Sequence, residues 1–173
     1  MKNISLSLAT VVLSLASVNH CHAQSNASFA SNVVVMNTNN GNNNTEAGSG
    51  GIDARALTNF KKEYSKVGNA KWEQISDGFI SKFVQKDIQF CIGYSTKGAW
   101  QYTERTYTAT NLPIDVKKQV ENAYSGYTIN LVEEITTNQR TVYIVHIESK
   151  EWAMKIKVDG TEMESIEEYK KFD

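Results

Sequence analysis

Hydrophobic residues recur with two different periods in the chain after residue 52. At residues 57–64, and again at 116–124, they return every three or four positions, which is typical of an amphipathic helix. After each of these segments apolar and polar residues alternate, which is typical of strands with one buried face. The pattern therefore predicts two helices, ending near Gly68 and Tyr124, each followed by four strands.

Local signals support the helix boundaries and the strand turns. Asp53 can cap the first helix, and Pro113 suits the first turn of the second helix because proline has a fixed φ and no amide hydrogen. Gly126, after Ser125, ends that second helix. Tight turns are predicted where glycine follows a polar residue, at Asp77 and Gly78, Lys97 and Gly98, and Asp159 and Gly160.

The two predicted halves resemble each other. Tyr64 corresponds to Tyr124 at an offset of roughly 60 residues, and the third strands of the two halves share the same inward-facing row. The sequence therefore predicts an α+β fold made of two tandem helix-plus-four-strand units, at about 53–110 and 111–169, with an antiparallel sheet and both helices packed on one face.

The N-terminus has the composition of an export signal. Lys2 precedes an apolar stretch at 4–18, and Ala23 ends a small-x-small cleavage site. We therefore expect a signal peptide over 1–23. A transmembrane anchor is the weaker interpretation, because an apolar run of about 15 residues is shorter than the roughly 20 that span a bilayer. The mature protein is expected to be periplasmic or secreted, without a membrane anchor.

A polar segment separates the signal from the domain. Residues 24–52 are dominated by Asn, Ser, Gly and Thr, which offer little apolar surface to offset the entropy of ordering. We interpret them as a flexible tether before a domain at 53–173. The apolar island at 33–36 could instead be an added edge strand.

Charge and residue counts limit the chemistry. The formal net charge of −1 excludes the strongly basic surface that nucleic-acid binding needs. Cleavage of the signal removes Cys21, so Cys91 and His146 remain as the thiol and imidazole, and no intramolecular disulfide is expected. No ligand cluster or phosphate loop indicates a metal or cofactor, and Glu133 and Glu134 are interpreted as solvated strand residues. No catalytic residues are predicted.

Strand alternation predicts which side chains lie opposite the helices. This set mixes apolar and basic groups, as a protein interface or an ordinary solvated sheet would. Its members are Lys82, Val84, Gln89, Cys91, Ile144, His146, Lys155 and Lys157. Trp100 and Tyr102 are added as candidate binding aromatics, although at least one of them is expected in the core.

A wider pattern of core and turn residues resembles a known family. It comprises Trp72, 77–79, Phe83, 97–100, Thr103, Glu104, Leu112, Pro113, Val116, Val120, 124–127 and Ile129. Over about 53–169 this pattern resembles the PepSY-like family described as β-lactamase-inhibitor-like, which bacteria of the Bacteroidota often export. The resemblance implies an exported α+β domain. The inhibitor behind that name grips its target with the concave open face of its sheet, and PepSY-type modules are thought to restrain peptidases.

Three functions are compatible with these features. The leading hypothesis is an exported, non-enzymatic module that binds another exported protein and inhibits or escorts an envelope hydrolase or peptidase. The alternative is a periplasmic domain that senses a small molecule or metal in the cleft between the two repeats. A third hypothesis is an enzyme centred on Cys91 and His146, for which a lone thiol and imidazole on a sheet give little support.

Overall fold

The computed structural model describes residues 34–35 and 51–172. The elements in chain order are β1 (Val34–Val35), α1 (Ala54–Glu63), β2 (Lys71–Ile75), β3 (Gly78–Gln85), β4 (Ile88–Ser95), β5 (Trp100–Tyr107), a 3-10 turn (Ala109–Asn111), α2 (Ile114–Ala123), β6 (Thr128–Thr137), β7 (Thr141–Glu148), β8 (Trp152–Asp159) and β9 (Glu162–Lys170). Among these elements no helix has the length and hydropathy needed to cross a membrane. The predicted signal peptide and most of the predicted tether lie outside the described residues.

All nine strands form one antiparallel sheet in chain order, from β1 to β9. β5 pairs directly with β6, with Tyr107 opposite Val132, so no sheet boundary separates the first strands from the later ones. The predicted α+β fold of two tandem helix-plus-four-strand units is therefore wrong. The fold is mostly β, with two short helices. Pairing β5 with β6 satisfies backbone hydrogen-bonding groups that two separate sheets would leave at exposed edges. The alternation of apolar and polar residues does not indicate whether two strands pair.

The N-terminal helix covers one end of the sheet. Asp53 caps α1 by accepting a hydrogen bond from the Arg55 amide at 2.8 Å. Phe60 projects from α1 onto the strands and meets the Trp72 ring edge-on, with 5.4 Å between ring centroids. The helix ends at Glu63 rather than near Gly68. Val67 reaches the same core from the segment that follows the helix.

The second helix covers the other half of the same face. Val116 and Val120 of α2 pack against Val132, Val145 and Ile156 of three neighbouring strands. α2 begins at Ile114, directly after Pro113, as the missing proline amide hydrogen allows. Both helices therefore bury their apolar stripes on one face of the sheet, and β1 pairs with β2 at its edge, as the edge-strand interpretation expected.

A polar contact lies on the helix-covered face near the joint of the two cores. Glu134 is buried there and accepts a hydrogen bond from the Tyr107 hydroxyl at 2.5 Å and another from the Arg105 guanidinium. Burial, and then the hydrogen bond to Glu134, raise the pKa of Tyr107, so the phenol stays protonated. The prediction that Glu133 and Glu134 are solvated is wrong, because both are buried.

Candidate functional site on the helix-free face

The face of the sheet opposite α1 and α2, called here the helix-free face, is crossed by rows of paired side chains. The first row runs from Lys82 on β3 through Cys91, Glu104 and Ile135 to Val142 on β7. The second row joins Val84, Gln89, Thr106, Glu133, Ile144, Lys157 and Glu164. The third row joins Leu131, His146, Lys155 and Glu167.

The structure places most of the predicted binding residues together on this face. Lys82, Val84, Gln89, Ile144, His146, Lys155 and Lys157 all lie in these three adjacent rows. The two aromatic candidates are separated. Trp100 lies on the helix-covered face against the first core, where its Nε1 donates to Thr103 Oγ1 at 3.0 Å. Tyr102 lies on the helix-free face, opposite Gly93.

The centre of the helix-free face is apolar. Ile135, Val142 and Ile144 form a small buried cluster of their own on β6 and β7. Ile80 on β3, opposite Gly93 on β4, is also buried on this face. The face thus combines an apolar centre with charged groups around it, an arrangement common in protein interfaces.

Ion pairs occupy much of the remaining surface. Lys82 Nζ lies 3.4 Å from Glu73 Oε2, and Lys155 Nζ lies 2.6 Å from Glu167 Oε2. Lys157 Nζ approaches Glu164 Oε2 at 3.8 Å. These pairs are partly exposed, so each contributes little to stability, about 0–1 kcal/mol. They hold the lysine side chains over the strands and leave a face of nearly balanced charge.

Two carboxyl groups lie deeper between these pairs. Glu133 Oε1 is 2.8 Å from His146 Nε2, which gives the imidazole a defined hydrogen-bond partner. Glu104 is only 4% exposed, and its Oε2 has no hydrogen-bond partner among the described residues. Burial raises the pKa of Glu104 to about 7, the nearby Glu133 carboxylate adds to the rise, and Lys82 opposes it. Glu104 is therefore close to half-ionised at neutral pH.

A pocket opens beside Glu104. It has a volume of about 370 Å³ and is lined, among others, by Lys82, Val84, Gln89, Cys91, Glu104 and Thr106. Val84, at its rim, is 62% exposed. The predicted surface residues Lys82, Val84 and Gln89 therefore line one pocket together with the buried Glu104 carboxyl group.

Cys91 and His146 do not form a catalytic pair. Cys91 is disulfide-bonded, which corrects the expectation of no disulfide and removes the thiolate that nucleophilic catalysis needs. Cys91 lies on β4 and His146 on β7, three strands apart, which corresponds to roughly 14 Å. The chain's other cysteine, Cys21, is outside the described residues, and a mature chain beginning at Gln24 would lack it.

Metal ligands are not grouped in the part of the chain that the structure describes. No set of three or more His, Cys, Asp or Glu side chains there is arranged to hold a metal ion. Glu104, Glu133 and His146 are of residue types that bind metals, but they lie on three different strands, β5, β6 and β7.

Comparisons with known proteins identify the fold. No protein-family model matches the sequence, and no curated protein matches it. A DUF2874 family protein from Bacteroides uniformis aligns with a TM-score of 0.55 and 15% identity, over 68% of this chain and 88% of that one. A BLIP-like protein from Bacteroides fragilis aligns with a TM-score of 0.55 and 16% identity, over 69% of this chain and 86% of that one. The fold is BLIP-like.

A third solved structure agrees with these two. It is a protein from Bacteroides eggerthii assigned by its name to the periplasm, with a TM-score of 0.55 and 12% identity over 69% of this chain and 88% of that one. At such identities the likeness concerns the fold. It supports the β-lactamase-inhibitor-like part of the resemblance found in the sequence, whereas the PepSY-like part is not shown.

Two acidic residues of the helix-free face were not predicted to belong to the site. Glu104 and Glu133 follow the same alternation that identified their neighbours, because Glu104 lies two positions from Tyr102. The signal was present, but acidic residues in strands are usually exposed, and only the pairing of β5 with β6 reveals that these two are covered.

Replacing Gly93 by alanine should strain the helix-free face. A Cβ at position 93 would lie 2.2 Å from the Tyr102 ring, so the ring must move. We expect Gly93→Ala to lower the free energy of unfolding by about 1–3 kcal/mol in urea melts. Adding Tyr102→Ala removes the collision, so the double variant should be less destabilised than the sum of the single changes. Strict additivity would show that the ring does not cover Gly93.

Proposed function

We propose that this chain is an exported, non-enzymatic protein-binding module that docks on another exported protein through its helix-free face. Inhibition or escort of an envelope hydrolase or peptidase is its proposed action. The observation that carries the proposal is the asymmetry of the sheet. Both helices cover one face, while the other presents an apolar centre, a pocket and a ring of lysines and carboxylates.

The composition of the helix-free face is suited to a protein partner. An antiparallel sheet can leave one face for solvent or a partner, and large exposed apolar side chains on it add favourable contact area. Val84 is such a side chain and lies beside the pocket. The ion pairs around it can rearrange to meet charges on a partner, which favours specificity and rapid association more than affinity.

The structural neighbours support export and protein binding. The Bacteroides fragilis neighbour is described as BLIP-like, and the Bacteroides eggerthii neighbour is assigned to the periplasm by name. A periplasmic or secreted location also agrees with the export signal predicted over residues 1–23. The proposed PepSY-like relationship would add restraint of a peptidase as the form of inhibition.

Capture from an envelope extract tests this function with a matched pair of variants. Val84 and Ile114 are exposed to similar extents, 62% and 65%, but Val84 lies on the helix-free face and Ile114 on α2. We expect Val84→Glu to lose a partner that the wild type and Ile114→Glu both retain, by at least about tenfold in recovered protein. Equal recovery with both variants, or recovery of nothing by the wild type, would contradict the proposal.

The captured protein then identifies the action. If the partner is a hydrolase or peptidase, adding the purified chain should lower its turnover, and Val84→Glu should relieve that inhibition. Unchanged turnover with retained binding would favour escort over inhibition.

A second candidate function, periplasmic sensing of a small molecule, rests on a pocket in the first half of the sheet and not on the predicted cleft between two repeats. A cavity of about 450 Å³ lies where α1 meets β4 and β5, lined partly by Asn59, Tyr64, Tyr94 and Trp100. Its size and aromatic lining suit a small organic molecule. A ligand that binds the native state raises the melting temperature, so a thermal-shift screen of wild type and Trp100→Ala tests this periplasmic sensing alternative. A stabilising ligand whose effect Trp100→Ala removes would favour it.

A further inference from the structure

We propose that Glu104 is the recognition point of the helix-free face and binds the basic side chain, arginine or lysine, of a loop on the partner protein. The proposal rests on the protein-binding function above and names the chemistry of the contact. Its starting observation is that Glu104 Oε2 is buried without a hydrogen-bond partner among the described residues, beside a pocket.

An unsatisfied buried carboxyl oxygen is unfavourable in the isolated protein. Removing such an oxygen from water without replacing its hydrogen bonds raises the free energy of the folded state, whereas an exposed oxygen keeps its hydrogen bonds to water. Any donor that reaches Oε2 recovers that cost on binding. Buried polar groups in native proteins are otherwise almost always satisfied, so an exception beside a pocket indicates where a donor from outside is received.

The ionised Glu104 carboxylate favours a cationic donor over a neutral one. Glu133 adds a second carboxylate nearby, and it lies beside His146. Lys71 and Lys82 line the other side of the pocket, and the Lys82 Nζ is shared with Glu73 at 3.4 Å. A guanidinium or ammonium group at Oε2 would form a charge-assisted hydrogen bond, which is about twice as strong as a neutral one.

The pocket has the space and the lining for a long basic side chain. Its volume is about 370 Å³, and Val84 offers apolar surface for the methylene stem. Gln89 and Thr106 add polar atoms near the carboxyl group. Arginine and lysine typically lay their stems on such apolar surface while the charged end is held by polar groups.

The contact should depend on pH in a defined direction. The groups that face Glu104 are Tyr102 on its own strand, Lys71 on β2, Lys82 on β3, the disulfide-bonded Cys91 on β4 and Glu133 on β6, with His146 on β7 behind Glu133. A cation binds the ionised carboxylate, so binding should strengthen as pH rises through about 7.

Methylguanidinium is a suitable probe because it carries the charged end of arginine alone. The full chain, with its Cys91 disulfide intact and labelled with carbon-13 at glutamate carboxyl groups, is titrated with methylguanidinium chloride, with sodium chloride and urea as the ionic and neutral controls. We expect the Glu104 carboxyl signal to shift in a saturable way as methylguanidinium is added. The affinity should be lower by about tenfold or more near pH 5.5 than near pH 8. Urea and sodium chloride should not reproduce the shift.

Two variants complete the test. Followed through the Glu133 carboxyl signal, which both variants keep, Glu104→Gln should abolish the saturable response, and Glu121→Gln, on α2 across the sheet, should leave it unchanged. A response that is equal in Glu104→Gln, or that never saturates, overturns the proposal.

Failure here can be told apart from failure of the proposed function. If Glu104→Gln captures the same protein from envelope extract as the wild type does, the protein-binding function stands and the role of Glu104 is overturned. If methylguanidinium binds at Glu104 but no protein is captured, the cation site is supported and the protein-binding function is contradicted.

Discussion

Val120→Asp is expected to unfold the domain or to lower its free energy of unfolding by about 3–5 kcal/mol. Val120 is 1% exposed and packs with Val116 on the strands of the second core. A carboxylate there would be buried without a partner, and its neutral form would still displace apolar contacts. Urea melts followed by circular dichroism measure the change directly.

Lys118→Asp is the control for this variant. It introduces the same residue two positions away on an exposed part of α2. The expected loss is below about 1 kcal/mol, since only helix propensity and surface charge change. A Val120→Asp protein as stable as Lys118→Asp would show that α2 does not pack on the sheet as described.

Glu104→Gln is expected to stabilise the isolated protein above neutral pH, by on the order of 1–3 kcal/mol. Burial, followed by Glu133, raises the pKa of Glu104 from 4.5 to about 7. Between these two values the folded state binds a proton that the unfolded state has released. The wild type should therefore lose stability as pH rises from about 4.5 to 7, and glutamine removes that contribution.

Urea melts at several pH values separate this effect from other titrations. The difference in unfolding free energy between Glu104→Gln and the wild type should be small near pH 4.5 and largest above pH 7. Glu164→Gln, at an exposed ion pair, should show no comparable trend. A Glu104→Gln protein that is destabilised at every pH would mean that the carboxyl group has a stabilising partner.

Val120→Asp tests the helix-covered face of the sheet, and Glu104→Gln tests the helix-free face. Val120 stabilises the fold through the helix-covered face, whereas Glu104 lowers stability on the helix-free face. A residue whose removal is expected to stabilise the protein agrees with a binding role, because functional sites commonly retain groups that the fold alone would not favour.

Alternation in the sequence was sufficient to place individual side chains. Lys82, Ile144 and Lys157 lie on the helix-free face because the period of two holds throughout their strands. Trp100 differs because the register shifts between Gly93 and Tyr94, which pairs Trp100 with Tyr94 on the helix-covered face. Such a shift depends on how two strands meet and leaves no periodic signal in either strand.

The overall architecture needed information that the sequence pattern lacks. The prediction of two tandem units failed because pairing between β5 and β6 is a contact between residues about 30 positions apart, such as Arg105 and Glu134. The same contact buries Glu134, which was expected in solvent. Local patterns report the side of a strand that is buried, but not which strand lies beside it.

The predicted set of helix-free-face residues was incomplete. Exposed and half-buried members such as Val84 and Lys155 were identified, whereas the buried Glu104 and the disulfide at Cys91 were not. Burial of an acidic side chain against its usual preference can be seen only once the neighbouring strands are in place.

Photo-crosslinking in cells tests the central claim, that the helix-free face is the binding surface, most directly. A photoreactive phenylalanine analogue is placed at position 84 in one strain and at position 114 in another, since the two side chains are similarly exposed on opposite sides of the sheet. We expect a discrete adduct with another exported protein from position 84 and none from position 114. An adduct from position 114 alone, or none from either, would contradict the claim.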